Sequence, residues 1–539
     1  MMLDKGFALQ DEGSYVFSYR FWRADPTFVS GSQYFYGPVF EALGESIPLL
    51  RLVRLVMVIG VNAWFAHAFL RWLVERQGKT LPASRTALLL LLTAGGGMSY
   101  LWAPLTPGYY DLTGDLTLAL AALMFHALVG GARARAWAAP LSGVIGVALV
   151  ITKWTTPPEL VVVAVVVVVG LKGRTRYLVQ MALGVVVALI AFQLYAVPVG
   201  SFFSSIQTVS KLTAVSNHSP SALVGEMIST SAAFLFMTAV LGAPMWFALA
   251  GLRVSLRRNR TLARPVVPLC AAITAALGVV FGWQGIASPT NLMVAVALAG
   301  LVAAVVASRV VAAHAPARSA EEWRVMGALL LLPILQTLGT NVPQIWIAYE
   351  CLAMWMAVGV MAAQRAAPNR LRSEVPLVGL ALTVVTTTLI AGTVTLTSPF
   401  RTAAWDRATV EVPSLGVRVA PTQARQWAAL SDAVSPHVVA RKTPILTLDE
   451  KAGLAYLLGG VPAGSTWTDK YTKSRTAGIV ALTCRQGDLT QPPVLVIDRS
   501  IDPELADALR GCGFPYPSGY RPLHVPEGPP GVRVLVPRG

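Results

Sequence analysis

The chain reads as a polytopic all-α membrane bundle followed by a small α/β domain. Three observations predict this class. Hydrophobic residues make up 55% of the 539 and charged residues 13%, against roughly 25% charged in average soluble proteins. Apolar segments recur from about residue 48 to 397, each near the ~20 residues a helix needs to cross a bilayer. After Ser398 these segments stop, charges mix, and short apolar runs separated by Pro and Gly read as strands. The chain therefore divides into a first polar loop (1–47), a membrane region (48–397) and a soluble region (398–539).

The first loop carries the adjacent carboxylates Asp11 and Glu12, then Tyr15, Phe17, Tyr19, Phe21 and Trp22. Pro26, Gly31, Gly37 and Pro38 punctuate it, which predicts short helices lying near the membrane surface, where Tyr and Trp are at home. Met1 to Gln10 has neither a basic stretch nor an apolar core, so no cleavable signal is read there.

The apolar segments number about twelve: 48–74, 85–103, 115–131, 138–154, 158–171, 177–197, 228–251, 266–284, 290–312, 325–340, 344–363 and 376–397. The fifth is short and almost pure Val, either a thin span or half of a membrane hairpin with the fourth. Basic residues gather in alternate connections, for example Arg76, Lys79 and Arg85, then Arg133 and Arg135, then Arg253, Arg257, Arg258, Arg260 and Arg264. The intervening connections are nearly bare, which makes the basic set cytoplasmic. The net charge of +16 is thus read as topology, and nucleic acid is not expected as a partner. By the same rule the Asp11–Glu12 loop and the C-terminal region lie on the outer side of a plasma (inner) membrane crossed many times. Arg20, Arg23, Arg51 and Arg54 run against the rule in the first loop. An outer N-terminal tail with nothing to carry it across also leads us to expect one more span ahead of Met1.

In the soluble region, 444–448, 494–497 and 532–536 read as strands, with helices around 421–434 and 502–511. Cys484 and Cys512 fall here, where a disulfide is compatible with an extracytoplasmic location, although spacing alone does not decide pairing. Cys270 and Cys351 sit in apolar spans as small packing residues. No Cys/His spacing fits a structural zinc site.

Several polar residues stand where chemistry could occur. Asp111 lies in a bare connection beside Tyr109 and Tyr110, and helix capping by Thr113 or Asp115 at the start of the next span is the plainer reading of that stretch. Lys153 stands at the predicted outer end of a span, where it either snorkels or meets a lipid phosphate as a compact cation. Arg51 and Arg54 are weaker candidates for that second role. The 198–227 connection contains Lys211, Asn217 and His218, and reads first as an amphipathic interfacial segment. Thr340 and Asn341 suit a helix cap, with Asn341 also placed to touch a sugar, and Glu350 lies inside an apolar segment where an acid needs a partner.

The stretch Leu9-Gln10-Asp11-Glu12-Gly13-Ser14-Tyr15 together with Tyr36-Gly37-Pro38, set ahead of so many spans, resembles the GT-C superfamily of polytopic glycosyltransferases, which includes protein O-mannosyltransferases and lipid A aminoarabinose transferases. That resemblance implies transfer of a sugar from a polyprenyl-phosphate donor on the outer face, with inversion by a single displacement. The acceptor would be a glycan, lipid or protein. Asp11 would be the general base, with Glu12 second, or the pair would hold a divalent metal, which the sequence leaves open. Lys153 and Lys211 would bind donor phosphate, and Asp111, Tyr36, His218 and Asn341 would contact substrate. The competing reading is a multi-span transporter or lipid flippase, against which stand acids concentrated in loops at one face and the absence of paired broken helices.

Overall fold

A computed structural model describes residues 3–23, 30–79, 81, 84–97, 105–171, 173–214, 225, 229, 232, 319–339, 347–365, 409–448, 451–466, 473–497 and 501–538. Within them the polar first loop forms two ten-residue helices, α1 (Asp11–Arg20) and α2 (Gln33–Ala42). The first long apolar helix, α3 (Ile47–Arg71), starts where Ser46 caps it and Pro48 suits its first turn, and runs on through a π-helical turn to Arg76. There follow α4 (Arg85–Gly97), α5 (Tyr109–Val129), α6 (Ala132–Thr152), α7 (Pro157–Gly170), α8 (Arg174–Tyr195), α9 (Val199–Ala214), α10 (Ala320–Leu335) and α11 (Leu352–Arg365).

Four of these helices are long and apolar enough to cross a membrane: Ile47–Arg76, Tyr109–Val129, Ala132–Thr152 and Arg174–Tyr195. Shorter apolar helices cover Arg85–Gly96, Pro157–Gly170 and Leu352–Ala362. The expected segments at 266–284, 290–312 and 376–397, and nearly all of 228–251, lie outside the described residues. At 14 residues α7 rises only about 21 Å, short of a ~30 Å hydrocarbon core.

Helix α5 is the hub, 83% buried over its apolar window, whereas α8 is 17% buried and turns Val179, Leu183, Val186 and Leu194 outward. Around α5 an aromatic group of Phe65, Phe69, Trp72 and Phe125 fills the interior. Helices α6 and α8 cross at Gly143 and Gly184, where any Cβ would strike the facing backbone. Small residues at such a crossing let apolar helices gain packing contacts that lipid would otherwise supply.

The soluble region holds a hairpin, β1 (Val410–Val412) with β2 (Val417–Val419), then α12 (Pro421–Val434). A five-stranded sheet follows from β3 (Pro444–Thr447), β4 (Val461–Pro462), β5 (Val494–Ile497), β6 (Tyr520–Leu523) and β7 (Arg533–Pro537), in the order β4-β3-β5-β7-β6. β3 runs parallel to β4 and β5, while β7 is antiparallel to β5 and β6. The three strands expected from sequence are the three central ones: β3 and β5 are buried on both faces, and β7 buries Val534 and Val536 on one. Helix α13 (Ala452–Leu457) follows β3, and α14 (Lys473–Gln486) and α15 (Pro503–Gly511) are joined by the Cys484–Cys512 disulfide.

The first loop does not lie free on a membrane surface. Phe7, Tyr15, Phe17, Tyr19, Tyr36 and Phe40 share one buried core with Val417, Trp427, Ile445, Tyr456, Val494 and Val534 of the soluble region. The backbone joins the two as well: Gly6 N–H donates to Arg418 O (2.9 Å), Arg418 N–H to Asp4 O (2.6 Å) and Gly453 N–H to Leu9 O (2.8 Å). Helix α1 approaches α13 so closely that a Cβ on Gly13 would land on the Gly453 backbone.

Candidate active site

Most buried charged side chains of the apolar helices lie toward the end of the bundle that meets α1, while the ion pairs Arg76–Glu321 and Lys79–Glu322 join the end of α3 and the turn after it to α10 at the opposite end. Arg51 and Arg54 lie one turn apart on α3, both fully buried, and each meets an acid from a different element. Arg51 donates to Glu12 Oε1 from Nη2 (2.8 Å) and Nε (3.1 Å), and to the carbonyls of Leu3 (2.7 Å), Lys5 (3.1 Å) and Gly6 (2.7 Å). Arg54 Nε donates to Asp111 Oδ1 (2.8 Å). These pairs explain why the two arginines run against the charge rule: each cation is matched inside the protein, as burial of a charge requires.

Glu12 is fully engaged. Besides Arg51, its carboxylate accepts from Ala8 N–H (2.9 Å), Thr106 N–H (3.2 Å) and the Thr106 hydroxyl. Asp11, the first residue of α1, is exposed. It lies beside Tyr15, whose phenol is raised well above its ordinary pKa by burial and then by the Asp11 charge. Tyr15 meets Tyr109 edge-on (6.3 Å), and Tyr109 touches Tyr110 (3.9 Å). Asp11 thus stands at the water-facing edge of an aromatic wall, while Glu12 anchors the helix beneath it.

A divalent metal at this pair does not fit the donor set. One carboxylate is saturated by a guanidinium and three further donors, and among the described residues no group of three or more His, Cys, Asp or Glu could hold a metal.

Capping is the reverse of what the sequence suggested. Helix α5 begins at Tyr109, so Thr113 and Asp115 lie inside it, and Asp111 makes the cap by accepting Gly108 N–H at Oδ2 (2.8 Å). The helix starts early because Gly108 can bring its backbone against the Tyr15 ring, where no side chain would fit. Asp115, one turn further in, is buried with Oδ2 unpartnered, as is the hydroxyl of Tyr36. Burial, then the Asp115 and Asp111 carboxylates, push the Tyr36 phenol well above its usual pKa, so it stays protonated. Tyr19 hydroxyl donates to Pro107 O (2.7 Å), fixing the turn that presents Asp111.

A second cluster lies where α6 gives way to α7. Lys153 ends α6 in an extended conformation, and Pro157, which lacks an N–H, suits the first turn of α7. Lys153 is buried, and its Nζ donates to Gln336 O (2.5 Å). Thr155 Oγ1 donates to Leu338 O (2.5 Å), tying the same break to the end of α10. Glu159, in the first turn of α7 where an acid complements the helix dipole, accepts from Thr117 of α5 (2.5 Å). Its Oε1 and the Oε1 of Gln336 are buried without partners.

Of the residues singled out in the sequence, the structure gathers Glu12, Asp111 and Tyr36 around α3 and α5, with Asp11 above them and Lys153 across α5. Lys211 lies in α9. His218 and Asn341 fall outside the described residues. Glu159, Thr106 and Gln336 had not been singled out. Glu159 had a readable signal, an acid heading an otherwise apolar Val run.

No known protein family and no curated protein matches the chain. Among solved structures, ArnT from Cupriavidus metallidurans in the apo state aligns over 99% of this chain and 94% of its own, at 16% identity and a TM-score of 0.34. A likeness at that score establishes neither a shared fold nor a shared activity.

Proposed function

We propose that the protein is an integral-membrane glycosyltransferase of the GT-C type, moving a sugar from a polyprenyl-phosphate donor to an acceptor on the outer face. The observation that carries this reading is the concentration of the pairs Glu12–Arg51 and Asp111–Arg54 and of the buried Asp115, Lys153 and Glu159 at one end of an apolar bundle. Burying so many ionisable groups in apolar helices is costly unless they serve a task.

In this reading Asp11 takes the proton from the acceptor hydroxyl, which is the role its exposure permits. The acceptor oxygen attacks the anomeric carbon as the carbon–oxygen bond to phosphate breaks, inverting the centre. Glu12 holds α1 in place through Arg51 instead of reacting. Lys153 uses one N–H on Gln336 O, leaving donors for the departing phosphate. The soluble region, joined to the first loop by one core, would frame the acceptor, and its disulfide supports an extracytoplasmic location.

The test is incubation of purified protein with radiolabelled polyprenyl-phosphate sugars. Asp11→Asn should cut transfer by about 10²–10⁴-fold, the usual contribution of a general base, while leaving the melting temperature unchanged. Full transfer by the variant would remove Asp11 from the mechanism. One observation favours the transporter reading: Asp115 and Glu159 are acids buried among apolar helices, each with an unpartnered oxygen, as in ion-coupled carriers. Substrate uptake or lipid flipping in reconstituted vesicles, without sugar transfer, would establish that alternative.

A further inference from the structure

A groove of about 230 Å³ opens between the end of α1, the end of α2 and the soluble region, away from the buried cluster. Arg20, Arg23, Glu41, Glu45 and Arg441 supply its charges, and Trp22 its apolar wall. Glu45 sits in the middle: Arg20 Nε meets its Oε2 (2.8 Å) and Arg441 Nη2 its Oε1 (2.6 Å). Arg20 is held further by Tyr456, whose carbonyl it meets at 3.3 Å and whose ring it covers at 3.7 Å.

Two features set this groove apart from ordinary surface ion pairs. The first is backbone conformation. Among the described residues only Glu45, Arg441 and Glu527 are non-glycine residues with positive φ, and the first two, at 58° and 57°, form the ion pair across this groove. Residues with a Cβ rarely adopt that conformation. It persists where surroundings hold it, and such residues cluster at ligand clamps and switches.

The second feature is unequal engagement. Arg20 is nearly buried, whereas Arg441 and Arg23 keep 61% and 64% of their side chains exposed. Arg23 lies over the Trp22 ring (4.0 Å) and is loosely paired, at 3.9 Å, with Glu41 Oε2, the same oxygen that accepts the Trp22 N–H (3.2 Å). Two exposed guanidinium groups therefore face a groove with three cations and two carboxylates. Planar guanidinium forks match phosphate oxygens two at a time.

The height of the groove points to the source of its ligand. Trp22 stacks on Tyr195 (5.4 Å), the last residue of the long apolar helix α8, and indole and phenol rings favour the headgroup level of a bilayer. We infer that this groove is a binding site for an anionic headgroup ending in a phosphomonoester, held between Arg23 and Arg441. The ligand draws Arg441 partly away from Glu45, and the volume admits a headgroup and not a whole lipid. The site stands independently of the sugar-transfer reading.

Binding of short-chain phosphatidate to the purified full chain in detergent tests this, with inorganic phosphate and short-chain phosphatidylcholine as competitors. Wild type should bind phosphatidate, phosphatidylcholine should not compete, and Arg23→Gln and Arg441→Gln should each weaken binding about tenfold or more, the loss of a charge-assisted hydrogen-bond pair. Arg441→Gly removes the guanidinium and suits a positive φ, so it should bind as weakly as Arg441→Gln yet melt no earlier than wild type. Competition by inorganic phosphate at equal concentration would assign the site to soluble phosphate compounds, and its failure to compete would assign it to lipid. Equal binding by wild type and the Arg23→Gln/Arg441→Gln double variant, or no binding by wild type, would overturn the proposal.

Discussion

Replacing Arg51 with Met keeps most of its buried volume and removes its charge, which isolates the Glu12–Arg51 pair. The change leaves the Glu12 carboxylate buried without its cation, a situation that costs about 3–5 kcal/mol. It also removes the donor to the Gly6 carbonyl, adding about 1 kcal/mol if that oxygen finds no water. Arg51→Met should therefore destabilise by about 4–6 kcal/mol. Glu12→Gln alone strips a partner from Arg51 but leaves it three carbonyl acceptors, so it should cost less. The double variant, with no buried charge at this pair, should recover at least about 2 kcal/mol of the summed single effects. Equilibrium unfolding of the detergent-solubilised protein gives all four corners of the cycle. A coupling below about 0.5 kcal/mol would mean that the two groups do not act as a pair, and the anchoring role given to Glu12 would go with it.

Three further outcomes follow from the same geometry. Gly13→Ala should cost about 1–3 kcal/mol by overpacking against Gly453 and should expose α1 to limited proteolysis before the rest of the chain; normal protease resistance would argue against close contact. Lys153→Met should raise the KM for a polyprenyl-phosphate donor more than it lowers kcat, and Lys153→Arg should not restore it, because a larger guanidinium has no room in so buried a position; an unchanged KM would release Lys153 from phosphate binding. Reducing Cys484–Cys512, whose linked residues are 28 apart in sequence, should destabilise the soluble region by about 2–4 kcal/mol. In intact cells a membrane-impermeant thiol reagent should then label both cysteines if that region faces outward, and lack of labelling would place it inside.

Local pattern carried the elements well and their partners poorly. The strands at 444–448, 494–497 and 532–536 and the helices near 421–434 and 502–511 were legible because apolar runs and turn residues are local signals. Short helices were expected in the first loop, but its turn residues misled as to where: Gly37 and Pro38, read as breaks, lie inside α2, where packing of Tyr34, Tyr36 and Phe40 outweighs their preference for turns. Arg51 and Arg54 looked like topological exceptions because their acids lie 39 and 57 residues away, and counting charge along a chain does not see such matches. The aromatic residues of the first loop suggested a membrane surface, since nothing nearby in sequence covers them. Their cover comes from Trp427, Tyr456 and the sheet, contacts that no periodicity encodes. Asp115 was read as a cap because the apolar run begins there, whereas the hydrogen-bonded helix begins at Tyr109, among polar and aromatic residues.

The backbone links between Asp4–Gly6 and Arg418, and between Leu9 and Gly453, impose an order on biogenesis. The first loop has its lasting neighbours about 400 residues further along the chain. At about 5–20 residues per second, a nascent α1 waits on the order of 20–100 s for them. Throughout that interval its tyrosines and phenylalanines have only the helices that follow them for cover, and the core they belong to closes only when the soluble region has been made.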